Sequence, residues 1–337
     1  MSWFVPGRAN IIGEHTDYND GLSLPMAIHL GITVSAIPRT DNRVLLESDG
    51  HAPGYLDEVD GDSPGHLRLA HAVAQRFSVH GVTWTVTSTL PEGSGLSSSA
   101  AYLGALVLAA GHTGDITTTA TLMQELEAEC GSRVGLLDQL AVLGTRAHHA
   151  LRIDFVDNTT SDIALPVEWA WTAVHSGEHR SLAETRYAER RAQCDEIARV
   201  LGPWRTITAA DIEGLDSELL QRRARHVTTE TARVDEMISV MQANDPVRAG
   251  LLLNESHASL RDDFEVSTAG IDALANELQR TPGVYGARLV GGGFGGCLLA
   301  LHRSDLDLAI SYEQAWLLRP HGGALRQAPS DLVRRLS

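Results

Sequence analysis

The chain has 337 residues, 43% of them hydrophobic, and a formal net charge of −16 at pH 7. The length exceeds one ordinary core and predicts two domains, while the charge argues against nucleic acid as the main partner. All 27 basic residues are arginine, which excludes a Walker-type phosphate loop, a pyridoxal Schiff base and a lysine base.

In chain order, residues 3–5 form a strand candidate that runs into Pro6-Gly7. Asn19-Asp20-Gly21 marks a turn. Residues 24–37 read as strand, with Ile28, Leu30, Ile32, Val34 and Ala36 alternating. Residues 44–47 and 82–90 are further strands, the latter with a Thr-rich period of two. Residues 49–65, rich in Gly, Asp and Pro, read as loop. Helices are predicted over 66–79, 100–111, 115–129 and 132–143, and a strand over 151–155. The acidic, proline-containing segment 157–168 is the expected domain boundary. Beyond it come a strand over 171–175, helices over 181–201, 216–242, 246–260 and 269–280, and strands over 284–290 and 297–302. No span of about 20 apolar residues occurs, so no membrane helix is expected. The N-terminus lacks a basic region followed by an apolar one, so no signal peptide is expected. Cys130, Cys194 and Cys297 are widely spaced, and they suit a reducing compartment better than a disulfide framework or a zinc site.

Several stretches carry chemistry. Pro91-Glu92-Gly93-Ser94-Gly95-Leu96-Ser97-Ser98-Ser99 precedes an apolar helix. Glycines let backbone amides approach an anion, a helix start offers unpaired N–H groups, and serine hydroxyls either cap the helix or ligate a cation. The combination suits a polyphosphate. Glu14, His15 and Asp17 sit beside glycine near a turn, supplying the acceptors that a polyhydroxylated small molecule needs. Asp138 is flanked by apolar residues on a predicted helix; it either faces solvent or is a buried base balanced by an arginine. Gly291-Gly292-Gly293-Phe294-Gly295-Gly296 holds five glycines between two apolar strands, more than a hairpin requires, and points to close backbone approach to a ligand or another loop.

Together and in this order, these motifs resemble those of the GHMP small-molecule kinases, and the first narrows the resemblance to the galactokinases. The run from Arg8-Ala9-Asn10-Ile11-Ile12-Gly13-Glu14-His15 through Thr16-Asp17-Tyr18-Asn19, continued by Leu24-Pro25-Met26-Ala27-Ile28, is similar to the family's galactose-binding signature. Residues 93–99 resemble its ATP-binding motif and 291–297 its third motif; 135–139, 187–194, 222–227 and 254–263 extend the likeness over nearly the whole chain. The resemblance implies an α+β, two-domain GHMP kinase fold, with residues 1–165 like ribosomal protein S5 domain 2, residues 166–337 as the second domain, and the site in the cleft between them. It implies transfer of the γ-phosphoryl group of ATP to the anomeric hydroxyl of α-D-galactose. Asp138 is then the base, and Arg8 pairs with it and stabilises the transferring group. Glu14, His15, Thr16, Asp17, Gly135 and Tyr187 would hold the sugar. Gly93, Ser94, Gly95, Leu96, Ser97, Ser98 and Ser99 would wrap the ATP phosphates. Ser99 and Glu127 would hold Mg2+; the match needs a one-residue deletion, so Glu125 and Glu129 remain alternatives. A cytoplasmic monomer acting on small molecules, without nucleic acid or membrane partners, is expected. Two other readings stand beside it: a kinase of a related sugar such as N-acetylgalactosamine or arabinose, and a non-catalytic sensor of ATP and galactose. Against the sensor, Ser97-Ser98-Ser99 and Asp138 are intact. The chain departs from the family in three places. Only residues 1–5 precede the first motif, Gly65-His66-Leu67-Arg68-Leu69 replaces a Trp-x-x-Tyr segment, and a helix with a Thr-Gly loop is missing between 312 and 315. These bear on base recognition and stability more than on phosphoryl transfer.

Overall fold

A computed structural model describes residues 1–132, 134–178 and 183–326. The first half runs β1 (Ser2–Asn10), β2 (Leu22–Ser23), β3 (Pro25–Pro38), β4 (Val44–Ser48), β5 (Gly54–Tyr55), α1 (Gly65–Arg76), β6 (Val82–Ser88), α2 (Ser98–Ala109), α3 (Ile116–Glu129), α4 (Leu137–Gly144), β7 (His149–Asp154) and β8 (Thr159–Ala164). The second half runs β9 (Trp169–His175), α5 (Ala183–Leu201), α6 (Ala209–Glu213), α7 (Glu218–Gln242), α8 (Pro246–Asp262), α9 (Ala269–Arg280), β10 (Val284–Leu289), β11 (Cys297–Arg303) and β12 (Ala315–Leu318). A five-stranded sheet, β1-β3-β6-β4-β5, and a three-stranded one, β2-β7-β8, belong to the first half. The second half has an antiparallel sheet ordered β10-β11-β9-β12. The expected division near 165 therefore falls between β8 and β9.

Helix starts follow local capping chemistry. Asp115, Ser217, Asp245 and Thr268 each accept from backbone N–H groups in the first turn of α3, α7, α8 and α9, and Pro246 opens α8 where no N–H is needed. The α2 segment is apolar on every side, and residues 100–108 are all buried, as a central helix must be. Its Gly104 lets it lie close to Val5 and Met123, with an added Cβ only 3.4 Å from each.

Four sequence expectations are corrected. The first strand does not end at Pro6-Gly7. It continues to Asn10 through a register shift between Pro6 and Arg8, pairing with β3 on both sides of it. The helix expected over 132–143 begins only at Leu137. The segment 157–168 contains β8, hydrogen-bonded along its length to β7. Short elements were not foreseen: β5 inside the expected loop, α6, and β12, which pairs with β9. Residues 181–182 of the helix expected over 181–201 lie outside the described residues.

One apolar core joins the halves. It takes Val5, Trp84 and Leu103 from the first and Val234, Met237 and Leu252 from the second. A separate cluster, including Phe264, Leu278 and Leu298, lies within the second half. The chain also returns to its start: Ile28 and Pro320 form a bridge, and His321 N donates to Ala27 O at 2.8 Å.

Candidate active site

A cleft of about 840 Å3 opens between the halves, and the motifs converge on it. Arg8 arrives on the extension of β1, Asp138 on the first turn of α4, and the glycine-serine segment on the approach to α2. Arg8 Nε donates to Asp138 Oδ1 at 2.8 Å, its Nη2 lies 2.6 Å from the same oxygen, and its Nη1 donates to Gly95 O at 2.5 Å. Arg8 N is held by Leu96 O at 3.1 Å. Ser97 Oγ donates to Asp138 Oδ2 at 2.6 Å. The carboxylate is thus fixed by charge-assisted bonds from two segments, while its side chain keeps 34% exposure toward the cleft.

Ser97 is the N-cap residue of α2, in a left-handed conformation (φ 62°), and its hydroxyl does not cap the helix. With that hydroxyl committed to Asp138, the first N–H groups of α2 have no side-chain cap and carry the positive end of the helix. Gly93 and Ser98 are exposed, and both line the cleft.

On the opposite wall lies the turn after β1. Glu14 Oε1 accepts from Gly291 N at 2.7 Å, and the buried Arg288 guanidinium sits 3.3 Å from it. This explains part of the glycine run: a loop of the second half approaches close enough for its backbone to bind a carboxylate of the first. His15 Nδ1 pairs with the Tyr18 hydroxyl at 2.8 Å, while its Nε2 is buried and has no hydrogen-bond partner among the described residues. Its ring packs 4.6 Å from Phe264 and 5.6 Å from Tyr187. Burial first, then His226, Arg288 and Arg190, hold His15 well below the ordinary imidazole range, so it is neutral. Asp17 is pushed up to about 7, by burial first and then by Asp138 and Glu14. Gly135 faces it, and a Cβ there would fall 1.7 Å from Asp17 Oδ2. Burial, then Asp17, raises the Tyr187 phenol well above its usual value, keeping it a neutral donor.

Glu127 is buried on α3. Its Oε1 accepts from Ser99 Oγ at 3.1 Å, and its other oxygen accepts from Gln139 Nε2. Burial pushes it up to about 7, against the lowering effect of those bonds. Glu125 and Glu129 instead pair with Arg76 at the surface.

Three expected site residues do not line the cleft. Thr16 is turned inward, its hydroxyl bonded to Gly13 O, Leu22 O and Ser23 Oγ. Ser94 Oγ donates to Pro91 O at 2.7 Å, and Leu96 is 1% exposed. They shape the loops that others use. Conversely, Arg191 and Asp195 line the cleft beside Tyr187. The i, i+4, i+8 spacing from Tyr187 was the available signal.

Among the described residues, five carboxylates line the cleft (Glu14, Asp17, Glu127, Asp138, Asp195) against two guanidinium groups (Arg8, Arg191). Among the described residues no three His, Cys, Asp or Glu side chains gather as a metal cage.

Residues 1–38 match the galactokinase galactose-binding signature, residues 66–145 the N-terminal domain of GHMP kinases, and residues 237–313 their C-terminal domain. A galactokinase of Roseiflexus sp. (strain RS-1) is 37% identical over 344 residues, covering 92% of this chain and 87% of its own. The structure of Lactococcus lactis galactokinase complexed with galactose superposes with a TM-score of 0.85 at 28% identity, over 97% of this chain and 95% of that one. The mevalonate kinase of Methanococcus jannaschii shares the fold, with a TM-score of 0.70 at 17% identity over 96% of this chain and 98% of that one.

Proposed function

The chain belongs to the galactokinases of the GHMP kinase superfamily, and from that membership we propose that it transfers the γ-phosphoryl group of ATP to the anomeric hydroxyl of α-D-galactose, with Asp138 as the base. The observation that carries the reading is Asp138 itself. It is held by Arg8 and Ser97 where the glycine-serine loop meets the sugar turn, with its remaining surface turned to the cleft. A carboxylate so placed takes the hydroxyl proton as the oxygen attacks the phosphorus. Arg8 bridges Asp138 and the carbonyl of Gly95, so its fixed charge lies where negative charge moves in the transition state.

Glu14, His15, Asp17 and Tyr187 supply the partners of the sugar hydroxyls, and Gly135 leaves room for Asp17. Galactose and glucose differ in one hydroxyl's orientation. A site of fixed partners leaves both a substrate group and a protein group unpaired when that hydroxyl points the wrong way. The uncapped start of α2 and the residues from Gly93 to Ser99 receive the ATP phosphates.

The donors present fit Mg2+. One buried carboxylate, Glu127, and one hydroxyl, Ser99, face each other in a cleft whose described residues carry more anions than cations, and Mg2+ is commonly held by one or two carboxylates plus substrate phosphates. Bound there, it would offset the charge of the phosphates. Cys130, Cys194 and Cys297 form no disulfide among the described residues, which supports a reducing cytoplasm as the compartment, and the reading is of a monomer acting on small molecules. Among the described residues, no helix is long and apolar enough to cross a membrane.

The test is ADP release with galactose, glucose, N-acetylgalactosamine and arabinose, on the wild type and on Asp138→Asn. Galactose should give the highest kcat/KM. The variant should lose about 10²- to 10⁴-fold in rate while still binding ATP. A clear best rate on another sugar would sink the galactose assignment, and a variant that keeps a tenth of the rate or more (roughly, against the loss general-base catalysis supplies) would remove Asp138 as the base.

A further inference from the structure

The sugar turn is fastened from behind by a buried anion of the other half. Glu230 lies on α7 and is 0% exposed. One carboxylate oxygen accepts from Gly13 N at 2.9 Å, from Ser256 Oγ at 2.7 Å and, at greater length, from Glu14 N at 3.4 Å. The other accepts from Arg233 Nε at 2.8 Å. One turn earlier on the same helix, His226 Nε2 lies 3.1 Å from Glu14 O and Nδ1 lies 2.9 Å from Ser259 Oγ. A carbonyl only accepts, so the neutral ring carries its hydrogen on Nε2. Two side chains of α7 thus hold the N–H groups of Gly13 and Glu14 and the carbonyl of Glu14.

That backbone needs holding. Gly13 has φ 94° and His15 φ 61°, left-handed values that a non-glycine residue keeps only where its surroundings over-determine them. At Gly13 a Cβ would meet Leu22 O at 2.4 Å, so the turn is pressed against β2 on one side and bonded to α7 on the other.

We propose that Glu230 is a positioning residue for sugar capture: with His226, it fixes the peptide groups of residues 13–14 so that Glu14, His15 and Asp17 face the cleft. The inference rests on reading that turn as the sugar site. Glu230 does not line the cleft, and it acts only through the turn. Its charge matters as well as its shape. Both carboxylate oxygens face donors, Gly13 N–H at one and Arg233 Nε–H at the other. The NH2 of a glutamine would therefore meet a donor in either orientation.

The experiment uses the sugar that the wild-type protein phosphorylates best. If that sugar is not galactose, the functional reading fails while the role of Glu230 is still tested. Sugar binding is measured by titration calorimetry without nucleotide, alongside KM for ATP and kcat at saturating sugar. Glu230→Gln should weaken sugar binding by about tenfold or more, with KM for ATP and kcat within about twofold. Met241→Ala, a cavity in the same helix about three turns away, should lower Tm without changing sugar affinity. Unchanged sugar binding in Glu230→Gln overturns the proposal, as does an equal loss in Met241→Ala, which would reduce Glu230 to a stability residue. Should Glu230→Gln fail to fold, Arg233→Leu decides. It removes one partner of the carboxylate, at a side chain 13% exposed, and should give the same split in smaller measure; wild-type sugar affinity there overturns the assignment.

Discussion

Asp17 faces the cleft at a cost to the fold. Its carboxyl moves from an ordinary 3.8 to about 7, by burial first and then by Asp138 and Glu14. Folding therefore takes up a proton between those values, and stability contributed through this group falls as pH rises from about 4 to about 7. Asp17→Asn removes that penalty. Its Tm should exceed that of the wild type at pH near 8, and the gain should vanish near pH 4, while sugar affinity falls at both. Thermal melts at the two pH values check this, and an equal gain at each would assign the effect to something other than ionisation. Glu127 is raised to about 7 chiefly by burial, so a cation bound at the proposed site would relieve it. Glu127→Gln should raise the Mg2+ needed for half-maximal rate by about 10-fold or more. Glu125→Gln and Glu129→Gln should leave it unchanged, because both partner Arg76 outside the cleft. Magnesium titrations of the three variants separate the candidates.

At the scale of elements, α8 and β10 meet through glycine. A Cβ at Gly250 would fall 2.0 Å from Tyr285 O, and one at Gly286 would fall 2.1 Å from Gly250 O. The helix lies against the strand backbone to backbone, and that strand carries Arg288 and leads into Gly291. Alanine in a helix interior gains about 1 kcal/mol over glycine, but overpacking at such a distance costs about 1–3 kcal/mol or more. Gly250→Ala should therefore be destabilising on balance, seen as a lower urea midpoint at unchanged slope. The elements that sequence alone located best are those with local signals. The Asp245-Pro246 cap of α8 and the alternation of β3 state their own boundaries. The continuation of β1 past Pro6-Gly7 could not be read that way, since it depends on pairing with Ala27, Met26 and Pro25 of the next long strand. β12 needs β9 beside it to exist as a strand at all. The site divides similarly. Glu14, His15 and Asp17 stood out in a motif dense in chemistry, Asp138 as a lone carboxylate among apolar neighbours and Arg8 through the family resemblance, and the structure brings all five to the cleft. Thr16 and Leu96 sit in the same motifs but turn inward, and motif membership does not encode the direction of a side chain. Nothing in the sequence near Glu230 ties it to Gly13, which lies 217 residues away.

Across the whole molecule the two walls of the cleft are built differently. Second-half side chains bond the sugar turn at many points: Arg288 to Asn10 O and Ile11 O, Glu230 to Gly13 N, His226 to Glu14 O, and Arg205 to Asp20 O and Gly21 O. On the nucleotide wall, Gly93, Ser98 and Ser99 are exposed, and a Cβ at Gly93 would meet nothing within 4 Å. Hydrogen exchange should accordingly find residues 10–21 protected without ligand, and residues 92–99 unprotected until ATP is added. Equal protection of both segments in the free protein would contradict this. The same bonds have a consequence for dissection. Severed between 165 and 166, the chain would leave Glu14, His15 and Asp17 on one fragment, and every second-half group that orders their turn on the other. Neither piece alone would hold a sugar, and phosphorylation would return only when the pieces dock. Sugar turnover by co-expressed fragments would then report their association directly, making the division near 165 a cut site for a complementation assay.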